Sequence, residues 1–294
     1  MKEIKNILIV TTFLIVVIVT QIAVYYIFSD IESKEPSKET FSEECQIQTK
    51  IYQGRKIFTI SPNNKNNTEK VILYFHGGSY VAEMTKEHWD FLGRLANDTG
   101  LQIIVPDYPL TPKYNYEDVF NMVEPLYNEI IKNINAHNLI MMGDSAGGGL
   151  ALALEEKLGV DNIECPEKLI LISPWLDVRM ENNEINKIEK YDTDLSKEKL
   201  KLAGIAYSGI DGINNYLVNP IDGPLKNLKN VTIFTGTYDI LNPDVHKLIN
   251  KAQNEGITIQ IKEYSEAKHI WIINSPNEEV SKNAYNDLLE TLNY

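Results

Sequence analysis

Gly143-Asp144-Ser145-Ala146-Gly147 decides how the chain is read. It follows the apolar run Asn138 to Met142 and precedes Gly148-Gly149-Leu150-Ala151-Leu152-Ala153-Leu154, so a strand, a tight turn and a helix meet at one serine. The glycines suit a strained turn in which two chain segments pass close together. Such a turn holds the Ser145 hydroxyl above the sheet edge, and the new helix aims free N–H groups at any negative charge that develops there. That is the geometry of a nucleophile elbow and of acyl transfer. Small residues at a helix start also serve packing alone, so the rest of the chain has to decide.

Upstream, Val71-Ile72-Leu73-Tyr74-Phe75 reads as a fully buried strand running into His76-Gly77-Gly78-Ser79-Tyr80. A glycine turn there supplies backbone donors for an oxyanion. The expected donors are Gly77 and Gly78, with Ala146 after the serine as another. His76 reads as a structural loop residue.

A serine nucleophile needs a base and an orienting carboxylate, placed on loops after later strands in the order Ser, Asp or Glu, His. Of five histidines, His76, His88 and His137 precede Ser145, and His246 falls in a predicted helix beginning near Pro243. His269 remains, after the alternating run Ile257-Thr258-Ile259-Gln260-Ile261 and before a helix predicted over about 277–292. For the acid, the buried strand Val231-Thr232-Ile233-Phe234 leads to Asp239. Its rival Asp244 sits where a first-turn helix carboxylate is expected for structural reasons. Glu263 and Glu266 read as solvated charges.

On these stretches the chain resembles the hormone-sensitive-lipase-like esterase branch of the α/β-hydrolases, including bacterial acetyl-esterase-like carboxylesterases. The resemblance covers about 70–294. It rests on His76-Gly77-Gly78, Asp107-Tyr108-Pro109-Leu110-Thr111-Pro112, Gly143 to Gly148, Ser173-Pro174-Trp175-Leu176-Asp177 and Gly236-Thr237-Tyr238-Asp239-Ile240-Leu241. The chain departs from the family at Ser79, which replaces a third glycine, and around Tyr108 to Pro112. The resemblance implies an α/β-hydrolase fold, a Ser145-His269-Asp239 triad and hydrolysis of short- to medium-chain acyl esters without a cofactor.

Apolar strands near 71–75, 101–105, 138–142, 168–172, 230–234 and 257–262 alternate with helical stretches near 86–99, 115–135, 146–158 and 243–254. That alternation predicts an α/β architecture with a mostly parallel central sheet covered by helices on both faces. Gln46 to Ile60, divided at Gln53-Gly54, suits an antiparallel edge pair. An insertion at about 177–229, with a helix near 196–206, is expected to form a small helical cap. Ser79, Tyr80, Trp175, Leu176, Tyr207 and Tyr216 are candidate pocket residues, with core packing the other reading for the last four.

The amino terminus carries a second signal. Ile7 to Phe28 has no charge and is almost wholly apolar, long enough as a helix to cross a bilayer. It ends in Val24-Tyr25-Tyr26-Ile27-Phe28, unlike the small residues before a signal-peptide cut. The expected organisation is a short tail (1–6), a transmembrane anchor (7–28), a polar stalk or cap contribution (29–48) and a hydrolase domain (49–294). Lys2 and Lys5, closer to the span than Lys34 and Lys38, favour an N-in, C-out single-pass orientation with the domain outside.

The formal net charge of −13 argues against nucleic-acid binding and against adhesion to anionic lipids. No metal-ligand spacing is present. Cys45 and Cys165 either pair or stay reduced. Besides the esterase reading, the same triad serves an amidase or a deacetylase of a lipid or cell-envelope substrate. A non-catalytic binding ectodomain on a hydrolase fold is the reading from another class.

Overall fold

The computed structural model describes residues 45–63 and 69–293, together with Val19 and Ile22. Eight strands form one sheet: β1 (Cys45–Tyr52), β2 (Arg55–Pro62), β3 (Val71–Phe75), β4 (Gln102–Pro106), β5 (Leu139–Asp144), β6 (Lys168–Ile172), β7 (Val231–Gly236) and β8 (Ile259–Tyr264). Their spatial order is β1-β2-β4-β3-β5-β6-β7-β8. β2 runs against both its neighbours, and the remaining pairs are parallel. The predicted edge hairpin is present, turning at Gln53 and Gly54 with φ of 48° and 78°, the left-handed pair that a two-residue hairpin turn of the primed type requires. Pairing of Cys45 with Pro62 moves the domain boundary from the expected 49 to 45, because the last four residues assigned to the stalk already belong to the sheet.

The helices are α1 (Lys86–Thr99), α2 (Tyr116–Asn133), α3 (Ser145–Val160), α4 (Ile185–Ile188), α5 (Lys197–Ser208), α6 (Asn242–Asn254), α7 (Trp271–Asn274) and α8 (Glu279–Leu292). Several carry their own start signals. Asn115 accepts from the amides of Glu117 and Asp118 at the head of α2, and Asp118 accepts in return from the Asn115 N–H.

Side-chain alternation along the strands divides the core. Val71, Leu73 and Phe75 of β3, with Leu139 and Met141 of β5, pack toward α2, α3 and α6. Ile72, Tyr74, Ile140 and Met142 face the opposite way, toward α1, α7 and α8. Each fully buried aliphatic side chain of this kind stabilises by about 1.5–3 kcal/mol. β5 and β6 are apolar on both faces because helices cover both, as in parallel sheets generally. The two cysteines fall on opposite sides of this arrangement. The Cys45 thiol sits against the Gly93 carbonyl of α1, and that of Cys165 against the Glu155 carbonyl of α3.

Between β6 and β7 the predicted insertion holds α4, α5 and 3-10 turns at Gly212–Asn214 and Pro220–Asp222. Helix α5 begins where Ser196 accepts from the Lys199 amide, as the sequence suggests, and runs two residues beyond the expected end. Among the described residues no helix is long and apolar enough to cross a membrane. The expected span at 7–28 lies outside the described residues except for Val19 and Ile22, which are helical and exposed. The stalk expected at 29–48 lies outside them as far as residue 44.

Candidate active site

β3 and β5 are neighbours, in register from Val71 opposite Leu139 to Phe75 opposite Gly143. The chain leaves β3 toward β4 on one side and β5 toward β6 on the other, so a crevice opens at their carboxyl ends. The two motif-bearing turns meet there. Ser145 has φ of +50°, a left-handed conformation that costs a non-glycine residue energy and that the packed turn enforces. A Cβ on Gly147 would lie 2.1 Å from the Phe75 carbonyl oxygen, and one on Gly143 would lie 2.4 Å from that of Gly147. The turn closes only without these side chains.

Ser145, His269 and Asp239 come together in a line. His269 Nε2 is 2.9 Å from Ser145 Oγ, and His269 Nδ1 is 2.9 Å from Asp239 Oδ2. Asp239 Oδ1 accepts from the Leu241 amide at 2.9 Å, which fixes the carboxylate in its turn after β7. The Tyr238 N–H donates to the Ala267 carbonyl and the Ile270 N–H to Ser173 Oγ, holding the histidine loop against the ends of β7 and β6. All three side chains are buried. Burial alone would lower the pKa of His269, but the adjacent Asp239 carboxylate, with Asp192 and Asp144 farther off, leaves it raised. A ring so placed can take a proton from Ser145 and hold the resulting charge.

A second acid–histidine pair lies behind the first. Asp144 Oδ1 accepts from Tyr74 Oη at 2.6 Å and from the Gly77 N–H at 2.9 Å, and Asp144 Oδ2 is 3.2 Å from His88 Nε2. His88 Nδ1 accepts from the Thr85 amide at 3.1 Å, which assigns the proton to Nε2 and directs it at Asp144. Burial pushes the Asp144 carboxyl up, yet the His88 and Tyr74 donors prevail and hold it below the usual range. His76 stacks on Tyr108 at 4.5 Å, and burial beside His88 lowers its pKa to about 4, so it is neutral. That agrees with its reading as a structural loop residue.

This network corrects one expectation. The Gly77 N–H is bound to Asp144 and is not available to an oxyanion. A Cβ at Gly77 would fall 2.2 Å from Asp144 Oδ2, so the glycine serves close packing against the carboxylate. The next residues, Gly78, Ser79 and Tyr80, have successive φ of 110°, 55° and 62°. Among the described residues no acceptor is bonded to the N–H of Gly78 or Ser79. The Ala146 N–H lies in the first turn of α3, where helix amides lack intrahelical partners.

Tyr80, Trp175 and Tyr207 form one buried cluster over the start of α3. Tyr80 and Tyr207 stack with centroids 3.6 Å apart, and Trp175 lies 5.8 Å from Tyr80. The Trp175 N–H donates to the Ser145 carbonyl at 2.8 Å, and Leu176 is buried behind it. Tyr216 does not join them. Its neighbouring charges are Lys157, Asp161 and Glu124, because the coil after α5 crosses the head of α2, where Asn215 donates to the Tyr116 hydroxyl, and runs on toward the end of α3.

The rejected alternatives sit elsewhere. His246 on α6 pairs with Glu263 at 2.6 Å, and Asp244 accepts from Asn182 at 2.9 Å. Glu263, exposed as expected, also accepts from Asn242. Among the described residues no cluster of three or more His, Cys, Asp or Glu side chains could hold a metal ion. Asp144 and Asp192 were not singled out from the sequence. Asp144 occupies the variable position of the elbow, and nothing local marks Asp192.

Residues 72–273 match a family described as the alpha/beta hydrolase fold. An esterase of Acinetobacter venetianus is 30% identical over 67% of this chain and 65% of its own length. A triacylglycerol lipase of Mycobacterium tuberculosis is 26% identical over 78% of this chain and 48% of its own. The match thus spans less than two thirds of either relative. Among solved structures, an esterase from the bacterial hormone-sensitive lipase family superposes with a TM-score of 0.80 at 21% identity, covering 93% of this chain and 97% of the other.

Proposed function

This chain belongs to the alpha/beta hydrolase fold family, and from that premise we propose that it is a serine carboxylesterase acting on short- to medium-chain acyl esters. The observation that carries the reading is the line from Ser145 Oγ through His269 to Asp239, both links at 2.9 Å, beside amides without acceptors. Ser145 attacks the ester carbonyl while His269 Nε2 takes its proton. Asp239 holds the ring in the tautomer that presents a bare Nε2 and stabilises the imidazolium that follows. The amides of Gly78, Ser79 and Ala146 receive the oxyanion, in place of the expected set that included Gly77. His269 returns the proton to the leaving alcohol, and water, activated by the same ring, releases the acyl group.

The stacked Tyr80, Tyr207 and Trp175 are core packing that supports the turns around Ser145, and the insertion between β6 and β7 serves as a cap. Amide or cell-envelope acyl substrates would use the same groups, so a panel of acetyl, butyryl, longer acyl and amide substrates assigns the scissile bond. The charge-free run at 7–28 supports a single-pass anchor, and Lys2 and Lys5 before it an N-in orientation with the enzyme outside, tested by protease access to intact cells.

A fluorophosphonate probe on the full-length protein in mild detergent tests the central claim. Labelling should map to Ser145 by mass spectrometry and vanish in Ser145→Ala. An unlabelled, folded wild type, or labelling that survives the substitution, would overturn it.

A further inference from the structure

Three consecutive residues of the insertion touch the residues that flank the acid and the base. The Tyr191 ring stacks on Tyr238, centroids 4.8 Å apart and planes 9° from parallel, just before Asp239. Asp192 Oδ2 accepts from the Ile240 N–H at 2.9 Å, just after Asp239. Thr193 Oγ accepts from Lys268 Nζ at 3.0 Å, just before His269. Two turns that are 30 residues apart in sequence are thereby gripped by one short segment from a third place in the chain.

Asp192 is the centre of this grip. It is 8% exposed, and its other oxygen accepts from the amides of Asp194 and Leu195, both at 2.9 Å, so the carboxylate is fixed in its own loop before it reaches across to Ile240. Every donor it receives is a backbone N–H. A group held this way transmits the position of its loop to its partner with little side-chain freedom. We propose that Asp192 is a positioning residue for the reaction, tying the insertion to the turn that carries Asp239 and thereby fixing the acid–base pair. The inference rests on the esterase reading.

A second effect is electrostatic. The charges facing His269 are Asp239, Asp192 and Asp144, and each favours the imidazolium form. Asp192 therefore stabilises the protonated ring that acylation creates, from outside the strand-borne machinery. Removing its charge moves the acid limb of the pH–rate profile toward lower pH, since the base then loses its proton more readily. A residue that served folding alone would leave that limb in place.

The test compares wild type, Asp192→Asn and Asp192→Glu as full-length proteins, with short-chain ester hydrolysis measured across pH. Asp192→Asn presents an NH2 or a neutral oxygen to the Ile240 amide, and is expected to lower kcat by about 10- to 100-fold while KM changes far less. Its acid limb should move to lower pH. Asp192→Glu keeps the charge and should leave the limb near the wild-type position even if kcat falls. Lys268→Met, which removes only the exposed bond to Thr193, provides a variant that endangers folding less and should reduce kcat a few-fold. Wild-type kcat and an unmoved limb in Asp192→Asn would overturn the proposal. So would a lowered melting temperature with the limb unmoved. Fluorophosphonate labelling of wild type separates the two levels. If Ser145 is labelled but Asp192→Asn behaves as wild type, the positioning role fails alone; if Ser145 is never labelled, the esterase reading fails and takes this inference with it.

Discussion

Two buried aspartate–histidine pairs lie close to the Ser145 turn, and they differ in how the second ring nitrogen is held. In Asp239–His269 one nitrogen holds the carboxylate at 2.9 Å and the other meets a hydroxyl, Ser145 Oγ. In Asp144–His88 one nitrogen meets the carboxylate at 3.2 Å, and the other is shared by the Thr85 N–H at 3.1 Å and the Thr85 hydroxyl at 3.0 Å. The first ring keeps a lone pair on the atom that faces a removable proton. The second has its lone pair taken up in the capping box at the head of α1, where the Thr85 amide as well as the Thr85 hydroxyl is directed at it. Residue type, burial and a nearby hydroxyl are shared, so what sets the proposed proton-transfer pair apart is that a backbone amide also claims the second nitrogen of His88.

The most damaging way to break the contrast is His269→Ala, which should lower kcat by about 10⁴-fold or more while leaving the fold intact, measured by steady-state ester hydrolysis beside circular dichroism. In wild type the acid limb of kcat/KM should lie above the ordinary imidazole value of 6.5, because the raised pKa of His269 keeps the base protonated, and so inactive, until a higher pH is reached.

A smaller effect is expected from Asp144→Asn. The amide sets an NH2 against at least one of three donors, the Tyr74 hydroxyl, the Gly77 N–H or the His88 Nε2–H. Unfolding stability should drop by about 1–3 kcal/mol. With the Gly77 loop loosened, kcat should fall by about 10- to 100-fold, less than for the base. The smallest effect belongs to His88→Asn, which should cost about 1 kcal/mol of stability and only a few-fold in kcat. Its acid limb should coincide with wild type. A His88→Asn enzyme whose limb moved would show that the second pair shares the proton chemistry, and the contrast drawn above would dissolve.

Much of this architecture was legible in the chain. Strands such as Val71–Phe75 and Leu139–Asp144 announce themselves by unbroken apolar runs, since burial on both faces removes any need for polar positions. Asp239 and His269 could be found because loop order and strand ends constrain where an acid and a base can sit. Asp144 could not. It is the variable position of its motif, and its three partners, Tyr74, Gly77 and His88, are 70, 67 and 56 residues away in sequence. The same holds for Gly77, whose N–H is claimed by a carboxylate that sequence spacing does not reveal. Tyr216 was misplaced because an aromatic residue in an irregular segment carries no periodicity to say which way the chain turns.

One feature of the elbow bears on how such a chain can change over time. Asp144 and Ser145 are adjacent, yet one belongs to the scaffold pair and the other to the reactive line, while Gly143 and Gly147 on either side have no room for a single added carbon. Four of five neighbouring positions are thus held by different demands at once. Drift can be absorbed by outward positions such as Ile51 on the edge hairpin, but this stretch must be inherited nearly whole. A graft of Ser145, His269 and Asp239 alone onto another scaffold would arrive without the carboxylate that holds the Gly77 turn in place.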